Sequence, residues 1–194
     1  MDSYKCSVKF FVENPSGLRV EEFVPVFHRW IQDRALRDHQ LIDVADYKHV
    51  HEGPGTVLVS HEANIHADLA EGKLGLLYFR KQPLPGLFHE RLRAVFGYAL
   101  RAAVMLEDEK SLNGGLRFRT DNPVFRIHDR LHAPNTPQTF EQVQGELETF
   151  LSKLYGESSV ALTHQPSAES LFEVRIQAPR SVPVATLLDR VGNA

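Results

Sequence analysis

Cysteine is almost absent from this 194-residue chain. Cys6 stands alone, so no disulfide can close within one molecule and no thiolate cluster can hold a metal there. Long apolar runs are missing too. No stretch approaches the roughly 20 residues of a bilayer-spanning helix, and residues 1–9 carry no apolar core of a secretion signal. The expectation is a soluble, cytoplasmic protein with no membrane partner. Neither sign of charge dominates: 22 Lys and Arg face 25 Asp and Glu, for a net charge of -3. Nucleic acid is therefore not an expected partner, because its capture needs concentrated cations against phosphates. Linkers and low-complexity segments are missing as well. Apolar residues at 42% and charged residues at 24% describe an ordinary globular chain, long enough to bury a core.

The chain reads as if written twice. Residues 7–15, closing on Glu13, Asn14 and Pro15, match residues 115–123, closing on Asp121, Asn122 and Pro123. Residues 57–61 match 160–164, and residues 76–82 match 171–177 with Arg80 against Arg175, all in the same order along the chain. Such self-similarity marks a duplicated structural unit. The predicted repeats are 1–110 and 111–194, packed as a single compact domain.

Within the first repeat, Val8, Phe10 and Val12 alternate with Lys9, Phe11 and Glu13, the period of a half-buried strand. Phe23, Val24, Phe27, Trp30 and Ile31 form a helical stripe over residues 21–35. Strands are predicted at 41–47, at 56–69 as one long strand or a bent pair, and at 76–81, with a helix over 87–106. The second repeat offers strands at 116–120 and 124–130. Its helix opens with Thr136 as cap and Pro137 at the first helical position, and Gly156 terminates it. Strands at 160–164 and 171–178 and a helix at 184–191 follow. The fold class expected is α+β: two pseudo-symmetric β-α-β-β-α repeats, each with an added strand, forming a mostly antiparallel sheet with helices packed on one face. Lys9 and Arg117 fall on the charged outer face.

Chemistry-bearing residues crowd into residues 49–68. Read as one strand, residues 56–69 place Glu62, Asn64, His66 and Asp68 on one face and His61 on the apolar other. His49, His51, His66 and Asp68 offer imidazole and carboxylate donors suited to a divalent transition metal, with Glu62 as general base for metal-bound water. No HExxH spacing supports this, and such a cofactor is compatible with the residues without being expected. Solvated polar residues beside a turn are the simpler reading. His61 and its counterpart His164 read as core histidines held by hydrogen bonds, or as a pair facing one pocket near a symmetry axis. Arg80 and Arg175, near Lys9, Arg117 and Arg119 if the sheet is continuous, suit an anionic ligand through paired hydrogen bonds, unless neighbouring carboxylates neutralise them.

The run from Ile42 to Tyr47 with His49, the Gly53, Pro54, Gly55 turn, His61 to Ala63, Gly75 to Tyr78 with Arg80 and Lys81, and Asn135, Thr136, Pro137, Thr139 and Phe140 together resemble a bacterial family of uncharacterised proteins of similar length. The resemblance implies a bacterial, cytosolic setting and carries no activity, cofactor or site. The function expected is a non-enzymatic scaffold that binds a small-molecule or protein partner. A metal-dependent hydrolase using residues 49–68 is the alternative, and a homo-oligomer whose polar faces mate is a third reading.

Overall fold

A computed structural model describes residues 5–13, 15, 17–50, 53–112, 115–156 and 159–192. Its frame is one sheet of eight strands, β1 (Cys6–Val12), β2 (Leu41–Asp46), β3 (Thr56–Ser60), β4 (Ala63–Asp68), β5 (Gly75–Arg80), β6 (Phe118–Ile127), β7 (Ala161–His164) and β8 (Phe172–Gln177). They run in the order β2-β3-β4-β5-β1-β6-β8-β7, and every neighbouring pair is antiparallel. The fold is therefore α+β with an antiparallel sheet.

Register fixes what each face carries, because residues directly opposite in an antiparallel ladder point the same way. One continuous row crosses the sheet as Val44, Leu58, Ile65, Tyr78, Val8, Phe125, Val174 and His164. This row belongs to the core beneath helices α1 (Phe23–Gln32), α2 (Phe88–Glu107), α3 (Pro137–Tyr155) and α4 (Val184–Val191). The adjacent row, Ala45, Val57, His66, Leu77, Lys9, Val124, Arg175 and Thr163, lies on the opposite, helix-free face.

Aromatic packing ties sheet to helices. Phe96 of α2 meets Phe10 edge-on at 6.3 Å, stacks on Phe125 at 6.4 Å, and touches Phe150 of α3 at 5.0 Å. The α3 boundaries follow the predicted chemistry: Thr136 accepts from the Thr139 N-H, Pro137 starts the helix, and Gly156 ends it at a φ of 68°. Among the described residues, no helix is long and apolar enough to cross a membrane.

In two segments the structure decides or changes the expectation, and for residues 56–69 it takes the bent pair over the single long strand. Residues 56–69 form the β3–β4 hairpin, so Val57 and Val59 share the free face with His66 and Asn64, while Ala63 and Ile65 face the helices. The two strands predicted at 116–120 and 124–130 are one strand, β6, broken by a bulge where its register against β1 shifts. The bulge changes the alternation: Phe118 and Thr120 face the helices before it, Phe125 and Ile127 after it. Thr120 pins this point, its hydroxyl donating to Val182 O at 2.6 Å and accepting from Val182 N at 2.8 Å, while the Tyr155 hydroxyl donates to Thr120 O.

Candidate functional site

The helix-free face does not behave as a solvated surface. Lys9, expected outside, is 1% exposed and donates to the Asp68 carboxylate at 2.5 Å, to Ala70 O at 3.1 Å and to Lys73 O at 2.9 Å. All three of its N-H groups thus have acceptors. Burial pushes this ammonium below the ordinary lysine value, and the Asp68 charge and hydrogen bond offset part of that shift. Gly75 leaves the room its stem crosses, since a Cβ there would lie 2.8 Å from Lys9 Cε.

The effect is to fasten the connection between β4 and β5 over the sheet. That connection contains a 3-10 turn, Ala70–Gly72, in which Glu71 adopts the left-handed conformation at a φ of 64°. Its carboxylate accepts from Arg126 at 2.8 Å and from Arg175 at 2.9 Å, and Glu173 binds the same two guanidinium groups at 2.7 and 3.0 Å. Burial raises the Glu71 carboxyl, but the hydrogen bond from Arg175 and the charges of Arg175 and Arg126 outweigh it and hold the group below the usual range.

Beside this network lies a cleft of about 740 Å³. Phe11 and Val124 of β1 and β6 form its floor, and Leu69, Gly72, Lys73 and Leu74 form one wall. The bulge residues Asp121 and Asn122 and the end of β8, Gln177 to Pro179, form the other. Arg119 at the rim is held by Asp121 through two hydrogen bonds, of 3.2 and 2.9 Å. A hollow of about 380 Å³ adjoins it, and Thr163 and Arg175 line both.

Several polar atoms on this face are shut from water without a hydrogen-bond partner: Asn64 Oδ1, both ring nitrogens of His66, and Asn122 Oδ1 in the cleft wall. Such unpaired buried atoms are uncommon in folded proteins. Burial pushes His66 down to about 4 against the opposing pull of Asp68, and pushes His128 down to about 4 with help from Arg126. Both rings are neutral near pH 7. His128 Nε2 bonds Ser7 Oγ at 2.8 Å, its ring 4.3 Å from that of Phe79.

The residues singled out from the sequence scatter. His66 and Asp68 lie on the free face of β4, but His49 sits exposed in the connection from β2 to β3, and His51 falls outside the described residues. Among the described residues, no three His, Cys, Asp or Glu side chains gather as a metal site. Glu62 lies in the β3–β4 turn, where Oε2 accepts from Gln40 N at 2.8 Å; burial raises its carboxyl, but backbone hydrogen bonds, that from Gln40 foremost, together with the neighbouring His39 and His61 hold it below the usual range. His61, expected on a buried strand face, is exposed in the same turn because the hairpin reverses there. His164 faces the helices from edge strand β7, stacked 5.0 Å from Phe140 and bonded through Nε2 to Asn135 Oδ1 at 2.7 Å. The two histidines therefore share no pocket. Arg80 also faces the helices, opposite Ala63, and donates to Gln82 O at 2.9 Å, so it is not grouped with Arg175.

Among the described residues, Arg175 and Arg119 of the cations read from the sequence reach the cleft. Sequence reasoning placed Lys9 near Arg175 but not its burial, and it missed Glu71, Arg126 and Asn122. A signal did exist for the cations: Lys9, Arg126 and Arg175 each stand between two apolar residues that enter the core, namely Val8 and Phe10, Phe125 and Ile127, and Val174 and Ile176. No protein-family model, curated protein or solved structure gives a significant match to this chain.

Proposed function

We propose that this protein is a non-enzymatic scaffold that binds a small molecule in the cleft on the helix-free face of its sheet. The observation that carries the reading is the cleft itself, about 740 Å³ beside the β1–β6 seam, with an apolar floor and a charged rim. That size and that mixture of apolar lining with few convergent polar groups suit a small ligand. The metal-dependent alternative draws less support, because Glu62 is committed to a backbone donor and His49 lies on a different connection from His66 and Asp68. Ser7 beside His128 is fully buried and offers a substrate no approach.

Binding of the fluorescent amphiphile 8-anilinonaphthalene-1-sulfonate tests the reading. A single saturable site, lost in Thr163→Trp while the circular dichroism spectrum is retained, is the expected outcome. Binding that is non-saturable, or unchanged by the Thr163→Trp substitution, would remove the cleft from consideration.

We also read the chain as a duplicated unit, with a bacterial origin as its resemblance implies. Support comes from strand order, since β4-β5-β1 on one side of the seam meets β6-β8-β7 on the other. Two of the sequence matches require realignment. Residues 57–60 lie in β3, although β4 is the strand that flanks β5, and Arg80 and Arg175 occupy opposite faces. Two linked copies of residues 111–194 should fold cooperatively into a six-stranded sheet; a disordered product counts against duplication.

A further inference from the structure

We propose that Arg126 and Arg175 form a carboxylate subsite of the cleft, that Glu71 is its internal occupant, and that the ligand is a small amphipathic carboxylate whose head displaces the Glu71 side chain. This rests on the cleft being the binding site and adds what it recognises.

Four observations converge. The two guanidinium groups already grip a carboxylate, at 2.8 and 2.9 Å from the Glu71 oxygens, so their spacing suits that group. The occupant is delivered by a residue in the left-handed conformation, φ 64°, which non-glycine residues adopt at a cost. Arg175 lies on the boundary between the cleft and the adjoining hollow, with its side chain 48% exposed, so a ligand can reach it from the cleft. The apolar surfaces of Phe11, Leu69 and Val124 lie beside it for a hydrocarbon tail.

Displacement needs little motion. Lys9 holds Ala70 O and Lys73 O on either side of Glu71, so the backbone of the turn stays anchored while the Glu71 side chain, 35% exposed, rotates outward. Glu173 remains on both arginines and keeps them aligned. With Glu71 gone the pair of arginines faces one carboxylate instead of two, and the vacancy favours an incoming anion.

Calorimetric titration with octanoate and with its neutral analogue octanamide, on the wild type, Glu71→Gln, Glu71→Gly and Arg175→Ala, tests this. Glu71→Gly keeps the left-handed turn free of strain, so loss of fold cannot mimic the result. Octanoate should bind both Glu71 variants about tenfold more tightly than the wild type, the worth of one charge-assisted hydrogen bond, and should bind Arg175→Ala more weakly than the wild type. Octanamide should bind all four alike. Equal octanoate affinity in the wild type and the Glu71 variants overturns the subsite; if octanamide still binds and Thr163→Trp blocks it, the cleft reading survives alone. If neither compound shows binding that Thr163→Trp removes, both readings fall.

Discussion

Lys9 Nζ lies 2.5 Å from the Asp68 carboxylate, on a sheet face that no helix covers, with the two side chains 1% and 5% exposed. A pair this buried gives little net stability as a pair but is costly to break singly, since the survivor is left charged or unbonded. Lys9→Met should lower the unfolding free energy by about 3–5 kcal/mol, read by urea denaturation. Lys9→Met with Asp68→Leu should recover a substantial part of it. A loss below about 1 kcal/mol in the single variant would mean that water reaches Asp68.

Acid sensitivity should come from His66 and His128. Each has a folded value near 4, against an ordinary value of 6.5. The unfolded chain therefore takes up protons first as pH falls, and stability, complete above about 6.5, declines down to about 4, by on the order of 3 kcal/mol for each ring. Denaturation at pH 7, 5.5 and 4.5 measures this. His66→Gln should flatten the slope over that interval, and an unchanged slope would place the ring in contact with solvent.

Gly55 should tolerate no side chain. Its φ is 67°, and a Cβ would stand 2.0 Å from Ala67 O. Gly55→Ala forces the chain apart where the β2–β3 connection meets β4, and a loss of roughly 2 kcal/mol or more is expected from strain and overpacking together. A melting temperature within a degree of wild type would contradict that geometry.

Phe96 joins β1, β6 and α3 through ring contacts. Phe96→Ala should cost about 3–5 kcal/mol, and Phe96→Leu markedly less. Because the ring is remote from the cleft lining, the Leu variant should bind 8-anilinonaphthalene-1-sulfonate as the wild type does.

Much of the scaffold was legible in the residues, because amphipathic period and end signals are local. The Thr136, Pro137 and Gly156 signals bounded α3 correctly, and the alternation of Val8, Phe10 and Val12 placed all three in the core. What failed was parity. A tight turn at residues 61–62 and a bulge in β6 each change which side chain faces inward, and neither carries a strong local mark. Asn64, His66 and Asp68, which follow the turn, kept the shared face that counting gave them, whereas Val57 and Val59 before it changed sides and His61 went from core to solvent. Arg80 and Arg175 parted for a related reason, since matching them assumed that both strands start in phase. The cleft was less legible still. Its wall depends on Lys9 reaching over to Ala70 and Lys73, contacts between residues about sixty positions apart that no window along the chain contains.

The anchoring of that wall also bears on time. A segment whose carbonyls are tied to a core lysine cannot swing as a lid, so entry of a ligand waits only on rotation of exposed side chains, a matter of picoseconds to nanoseconds. Uptake should therefore follow a single exponential whose rate rises linearly with ligand concentration and shows no plateau, the kinetic mark of a cavity that stands open before its guest arrives.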